Sequence, residues 1–317
     1  MTTSRFFGFE KWYFDFALPT GEVIFFFLAA TRILGRRDLR LSLTVSSPRE
    51  APVHRSANLG QPAGGQPASC AGLLRGFGQG LSPAASEIPF RFSGKDLEVD
   101  LVFVRHPESR PAARSMVIRR GGRRIRWEPV HGRSLVRGTV RAAGRTWRAE
   151  GDNGYIDRLN SDIFPLFTPV RTLYWGRLHQ TAGSLVFAVI PRPRPAALLT
   201  WESERGRLEF DTAEVVERGP RVSATLGLAY PSAYTLTAVG GSGSLRLDVE
   251  NSVTAVETGF IADEGLPSGL ESRALAFLAR NPRGIKFFSR GRGRVEEPGR
   301  TVQIEDAGFF SEYVKFS

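Results

Sequence analysis

The 317 residues predict an all-β protein. Short β-rich runs recur at roughly ten-residue spacing, and turn dipeptides such as Gly121-Gly122 separate them. Only one segment has helical periodicity. Such a pattern belongs to barrels or sandwiches, and the length allows two halves that each close a sheet. No repeat at a fixed period stands out.

In chain order, Glu10 to Ala30 reads as a hairpin, two aromatic runs flanking Pro19-Thr20-Gly21. Leu39 to Val45 alternates apolar and polar residues, the period of a half-buried strand. Residues 46–88 are rich in Pro, Gly, Ala and Ser without periodicity, and read as a long surface insertion or lid. Strands resume at Phe90–Phe92, Leu97–Val104, Ser115–Arg120, Arg123–Trp127, Arg133–Arg141 and Arg145–Glu150. After a central stretch, Ala149 to Val189, come Ser184–Ile190, Leu198–Glu202, Leu208–Phe210, Ala213–Arg218, Arg221–Ala229, Ala233–Val239 and Gly243–Val249. Leu270 to Asn281 places Leu270, Ala274, Phe277 and Leu278 on one helical face, and Pro282 stops it. Thr301–Ile304 and Phe309–Phe316 are strand-like again.

Composition narrows the function classes. At 41% hydrophobic the chain can bury a core, and a lone cysteine, Cys70, excludes an internal disulfide and a Cys-rich zinc site. The apolar run Val23–Ala30 is too short to span a bilayer, and the first residues lack a secretory pattern, so a cytoplasmic location is expected. The charge of +11 rests on 43 basic residues, of which only Lys11, Lys95, Lys286 and Lys315 are lysines. Two clusters, Arg119 to Arg126 and Arg290 to Arg294, read as a charged hairpin tip and a solvated loop, and no nucleic-acid partner is expected. The histidines His54, His106, His131 and His179 lack ligand spacing, so no metal is expected. Gly60 to Gln66 lacks the lysine of a phosphate loop, Gly291-Arg292-Gly293 lacks the third glycine of a dinucleotide fingerprint, and Ser244 spoils a nucleophile elbow. No cofactor is implied.

The central stretch crowds Tyr155, Asp157, Arg158, Asn160, Tyr174, Trp175, Arg177 and His179 together, a density that suits a pocket. Three segments resemble the carotenoid 1,2-hydratase (hydroxyneurosporene synthase) and lipocalin-like AttH group. Glu10-Lys11-Trp12-Tyr13-Phe14-Asp15 followed by Gly21 is similar to that family's E-x-W-Y-F-D…G opening. Arg126 to Asp157 is similar to its W…V-x-G…G-x-G-Y-x-D approach, and Tyr174-Trp175-Gly176-Arg177 to its Y-W-G-R strand. The resemblance implies two consecutive lipocalin-like antiparallel β-barrels, 1–165 and 166–317, binding a lipophilic polyene-like or isoprenoid-like small molecule. Trp12, Phe14, Phe26, Trp127, Trp147, Phe164, Phe167 and Trp175 are numerous enough to line an apolar cavity.

The departure from the family matters too. Where hydratase-type members carry G-Y-H-D-H-N-W-G, this chain has Gly154-Tyr155-Ile156-Asp157-Arg158-Leu159-Asn160-Ser161, without either histidine. Hydration of an unactivated alkene needs a strong acid and a water-directing base, so the loss turns the expectation toward a cofactor-independent cyclase or isomerase, Diels–Alder-type reactions included. A hydratase and a non-catalytic carrier remain as alternatives. Asp157 is the expected acid, because burial raises a carboxyl pKa. Tyr155 and Tyr174 are the expected hydrogen-bond donors to a carbonyl. Trp12, Glu10, Arg158, Asn160, Trp175, Arg177 and His179 are the expected substrate-binding residues, Arg158 as the partner of an acidic head group.

Overall fold

The computed structural model describes residues 7–33, 36–59, 84–110, 114–164, 167–191, 193–241, 243–259 and 282–316. Every regular element among them is a strand. The expected helix, Leu270 to Asn281, lies outside the described residues.

The chain divides into two compact units, one within Met1–Phe167 and one within Thr168–Phe260 and Arg280–Ser317. The first contains β1 (Phe7–Ala17), β2 (Val23–Ile33), β3 (Arg36–Ser46), β4 (Val53–Asn58), β5 (Glu87–Ser93), β6 (Leu97–Arg105), β7 (Met116–Arg120), β8 (Arg123–Ala142) and β9 (Arg145–Ser161). Its sheet runs β4-β3-β2-β1-β9-β8-β6-β5, with β7 paired to β8. The second contains β10 (Thr172–Gln180), β11 (Gly183–Ile190), β12 (Ala196–Ser203), β13 (Gly206–Phe210), β14 (Thr212–Val222), β15 (Ala229–Gly240), β16 (Gly243–Gly259), β17 (Arg283–Glu297) and β18 (Arg300–Lys315). Its sheet runs β13-β12-β11-β10-β18-β17-β16-β15-β14. All pairings are antiparallel. In each unit the first strand pairs with the last, and each sheet curls on itself, the half-barrel form of a lipocalin-like sheet.

The two units repeat one plan. Arg137-Gly138-Thr139-Val140 to Gly144-Arg145-Thr146 on β8–β9 corresponds to Arg292-Gly293-Arg294-Val295 to Gly299-Arg300-Thr301 on β17–β18, 155 positions later. The same offset relates two turn glycines with positive φ, Gly144 (75°) and Gly299 (71°), and two bulge residues, Gly151 (98°) and Asp306 (40°). The expectation of no repeat at a fixed period is thereby corrected.

Three strand assignments also change. Val53–Asn58, inside the presumed insertion, forms β4 against β3. Residues 223–228 form a turn rather than part of a strand. The arginine-rich run Arg290 to Arg294, read as a solvated loop, is the middle of β17. There Gly291 and Gly293 face the core, and a Cβ at Gly293 would lie 1.9 Å from the Arg246 carbonyl oxygen. Arg290 and Arg292 point outward to Asp306 on β18, and Arg294 to Glu296. Alternation of glycine and arginine at period two is thus a strand pattern with the smallest residue inward.

Each unit has its own core. In the first, Trp12, Phe14 and Phe16 of β1 meet Ile24, Phe26 and Leu28 of β2, Leu101 and Phe103 of β6 and Trp147 of β9. The Phe14 and Phe26 rings stack 4.8 Å apart, and Phe90 and Phe103 close on them at 4.7 and 5.5 Å. Aromatics expected to line a cavity, Trp12, Phe14, Phe26 and Trp147, therefore fill this core. Phe164 instead packs edge-on against Phe7, and Phe167 is exposed. In the second unit Leu178, Leu185, Phe187, Leu199, Trp201, Leu236 and Phe287 form the core.

Candidate functional site

Strands β1 and β9 present two chemically different faces. Phe14 lies opposite Ile156, Tyr13 opposite Asp157, Trp12 opposite Arg158 and Glu10 opposite Asn160. Period-two alternation sends Glu10, Trp12 and Phe14 to the core side and Lys11, Tyr13 and Asp15 to the other. Asp157 falls on that second side because of one residue. Val136 pairs with Asp152 but Arg137 with Glu150, so Gly151 is an extra, bulged residue with φ 98°. The bulge changes the phase of β9, and Trp147 and Ile156 both reach the core while Tyr155 and Asp157 point away from it.

On the face away from the core, Asp157 sits among Lys11, Tyr13, Asp15, Phe25, Phe27, Trp127 and Tyr155, all of them buried. The Tyr13 ring stands 6.3 Å from Tyr155 and 6.4 Å from Phe25, and the Lys11 ammonium lies 5.5 Å from the Phe27 ring centroid. Burial is the largest influence on Asp157 and pushes its carboxyl up to about 7, with Asp15 adding to the rise. The Lys11 charge and hydrogen bonds from Trp127 and Tyr155 oppose it. The outcome is a carboxyl that is about half protonated at neutral pH, in buried, aromatic surroundings where a proton donor is effective.

The core-side face ends in an ionic ladder. Glu10 Oε1 accepts from Trp12 Nε1 at 3.1 Å and from Arg158 Nε at 3.1 Å, and Arg158 Nη2 approaches to 3.0 Å. The Arg158 guanidinium lies 5.5 Å from the Trp12 ring and reaches Glu128 at 3.6 Å, while Arg126 reaches Glu128 at 2.8 Å. A groove of about 430 Å³ adjoins the ladder, with Glu10, Arg158 and Asn160 in its lining.

The second unit holds the remaining expected residues on two faces. Tyr174 is core-side: it donates to Glu217 and packs at 5.0 Å from Tyr234 and 5.3 Å from Tyr313. Burial, then Glu217, raises its phenol far above the ordinary range. Trp175, Arg177 and His179 lie on the opposite face of β10, where Glu312 of β18 stands across from Trp175 and pairs with Lys286 of β17 at 2.7 Å. The structure thus brings Asp157 and Tyr155 together, gathers Glu10, Trp12, Arg158 and Asn160 separately, and gives Tyr174 to a tyrosine cluster of its own. Sequence reasoning missed Lys11, Tyr13, Glu128, Lys286 and Glu312. The alternation in Lys11-Trp12-Tyr13-Phe14-Asp15 was the available signal for the first two. Among the described residues no group of three or more His, Cys, Asp or Glu side chains is placed to hold a metal ion, and no helix is long and apolar enough to cross a membrane.

No family profile matches the chain, and no curated protein does. Solved structures do share its fold. CghA with Sch210972 aligns at TM-score 0.63 and 9% identity over 98% of this chain and 89% of that one. An AttH-like protein from Nitrosomonas europaea aligns at 0.56 and 13% identity over 98% and 93%. Kievitone hydratase from Nectria haematococca aligns at 0.57 and 12% identity over 98% and 89%. The chain therefore has the lipocalin-like fold of these AttH-like structures.

Proposed function

We propose that this protein is a cofactor-independent enzyme that binds a lipophilic, polyene-like intermediate and promotes its cyclisation or isomerisation, with Asp157 as the proton-donating group. The observation that carries this reading is a fully buried carboxyl raised to about 7 beside Tyr155, Tyr13 and Trp127. A protonated carboxyl flanked by phenols can donate to a carbonyl or polyene carbon as charge develops there, and burial strengthens that donation. The fold shared with CghA, whose structure holds Sch210972, and with kievitone hydratase supports a small-molecule reaction on this scaffold.

Asp15, whose charge acts on Asp157, favours hydration as a second reading, with Asp15 directing water after Asp157 has protonated an alkene. One experiment separates the two. Conjugated polyenes carrying a terminal carbonyl, with and without isoprenoid branching, are incubated with the purified protein and no added cofactor in ¹⁸O-labelled water. A product isomeric with substrate supports cyclisation or isomerisation, and a product heavier by one water, with the label in a new hydroxyl that does not wash out in unlabelled water as an exchanged carbonyl oxygen does, supports hydration. Asp157→Asn is expected to lower the rate by about 100-fold or more. An unchanged rate in Asp157→Asn would remove both readings, and binding without any turnover would leave a carrier.

A further inference from the structure

The row of residues through Asp157 continues across the sheet. Asp157 of β9 lies opposite Tyr13 of β1, Tyr13 opposite Phe27 of β2, and Phe27 opposite Ser42 of β3. Leu41 and Leu43, on either side of Ser42, belong to the core, so Ser42 faces the other way, with Tyr13 and Phe27. Strands in a sheet stand about 4.8 Å apart, which puts about 14 Å between Asp157 and Ser42 along the row. The stretch between them is aromatic, with the Lys11 ammonium 5.5 Å from the Phe27 ring centroid and Asp15 in the next row, opposite Phe25.

Ser42 is fully buried, and its Oγ has no hydrogen-bond partner. Its neighbours on the same face of β3 are engaged: Thr44 Oγ1 and His54 Nδ1 are hydrogen-bonded at 3.0 Å, and Arg40 has interactions of its own. A buried hydroxyl left unmet is costly, and folded proteins ordinarily satisfy such groups. Nor does the fold require polarity at this place. In the second unit the corresponding row runs Glu312, Trp175, Ala188 and Leu198, so a buried leucine stands where the first unit has Ser42. The repeat with the ion-paired Glu312 has an apolar residue there, and the repeat with Asp157 has an unmet hydroxyl.

We infer that Ser42 is a specificity-determining residue, which hydrogen-bonds a second oxygen function, hydroxyl or carbonyl, at the far end of a substrate whose reacting end lies at Asp157. The apolar middle of such a molecule crosses Tyr13 and Phe27. The inference rests on the reading above, in which substrate reaches this face, and it narrows the substrate class to polyenes that carry oxygen at both ends.

The test reads binding separately from turnover. A conjugated polyenal of about 14 Å, the span set by the strand spacing, and its ω-hydroxy derivative are titrated calorimetrically into Asp157→Asn protein. The hydroxylated probe is expected to bind about five- to tenfold more tightly, and adding Ser42→Ala should abolish that preference while leaving the affinity for the other probe unchanged. Ser42→Ala alone should melt at the wild-type temperature or above it, because it removes an unmet polar group. Equal affinities for the two probes, a preference that persists in Ser42→Ala, binding of neither probe, or a lower melting temperature for Ser42→Ala would each overturn the inference. None of these touches the role of Asp157, which stands or falls on the rate of Asp157→Asn. Conversely, a Ser42-dependent preference in a protein without turnover supports the binding site and removes only the acid.

Discussion

Asp157 and Glu312 occupy the same position in the two sheets. Each lies on the last strand of its unit, opposite an aromatic residue of the first strand (Tyr13 and Trp175), on the face away from the core. They are 155 residues apart, the separation that also relates Gly151 to Asp306. Their electrostatics differ: Glu312 has the Lys286 ammonium at 2.7 Å, while Asp157 is raised by burial. One repeat has an ion pair where the other has a carboxyl that titrates at about 7.

Breaking that ion pair should destabilise the protein strongly. Lys286 and Glu312 are both largely withdrawn from water, with side chains 2% and 11% exposed. Lys286→Met leaves a buried carboxylate uncompensated and is expected to cost about 3–5 kcal/mol in urea unfolding. The double variant Lys286→Met/Glu312→Gln removes the charge as well and should recover most of that loss. A double variant as unstable as the single one would show that packing, not charge, makes Lys286 important.

The pH dependence of stability should separate Asp157 from His131. Asp157, ordinarily near 3.8, stands at about 7 in the fold, so between those values the native state binds the proton and the unfolded chain does not. Its contribution falls as pH rises through that window. His131 is held neutral, first by burial, at about 4, with Nε2 donating to the Ala85 carbonyl at 2.8 Å. Its contribution has the opposite sign, rising between about 4 and 6.5. Each slope approaches about 1.4 kcal/mol per pH unit. In Asp157→Asn the falling arm disappears, so stability measured by urea unfolding should climb from pH 4.5 to 6.5 more steeply than in wild type. Parallel profiles would remove the assigned protonation of Asp157.

Much of this architecture was readable because strand periodicity survives in the sequence. The β1–β2 hairpin, the turn at Gly121-Gly122 and the arm ending at Gly144 all follow from alternation and positive-φ glycines. Asp157 and Tyr155 were legible as a pair for the same reason. What escaped was whatever depends on a bulge or a distant strand. The phase change at Gly151 decides which face carries Asp157, and nothing local marks Gly151 as bulge rather than turn. Lys286 and Glu312 meet only because β17 pairs with β18, and β17 looked like a loop for want of apolar residues between Arg290 and Arg294. Tyr174 was expected, like Tyr155, as a hydrogen-bond donor to a carbonyl, but it is core-side in its own unit, beside Tyr234 and Tyr313.

Two glycines on β8–β9 should respond differently to alanine. At Gly151, φ is 98° and no atom lies within 4 Å of an added Cβ, so Gly151→Ala pays only backbone strain, about 1–3 kcal/mol. At Gly138, φ is 125° and the Cβ would fall 2.0 Å from the Asp100 carbonyl oxygen, forcing β6 and β8 apart. Gly138→Ala should therefore have the lower melting temperature of the two. Gly293→Ala, whose Cβ would fall 1.9 Å from the Arg246 carbonyl, should resemble Gly138→Ala as its counterpart in the repeat. A Gly151→Ala protein less stable than both would refute this ranking.

Reaction rate, where turnover is found, should track the protonated form of Asp157. A general acid works only while it holds its proton, so kcat should fall as pH rises through about 7. The neighbours shift that limb in opposite directions. Lys11 favours the carboxylate, so Lys11→Met should raise the Asp157 pKa and move the fall to higher pH. Asp15 disfavours it, so Asp15→Asn should move the fall to lower pH. A merely structural Asp157 would leave the kcat profile in place in both variants, even if their stability changed. Opposite displacements from two substitutions on the same strand, read in kcat across pH 5.5 to 9, would tie the chemistry to this carboxyl rather than to the fold around it.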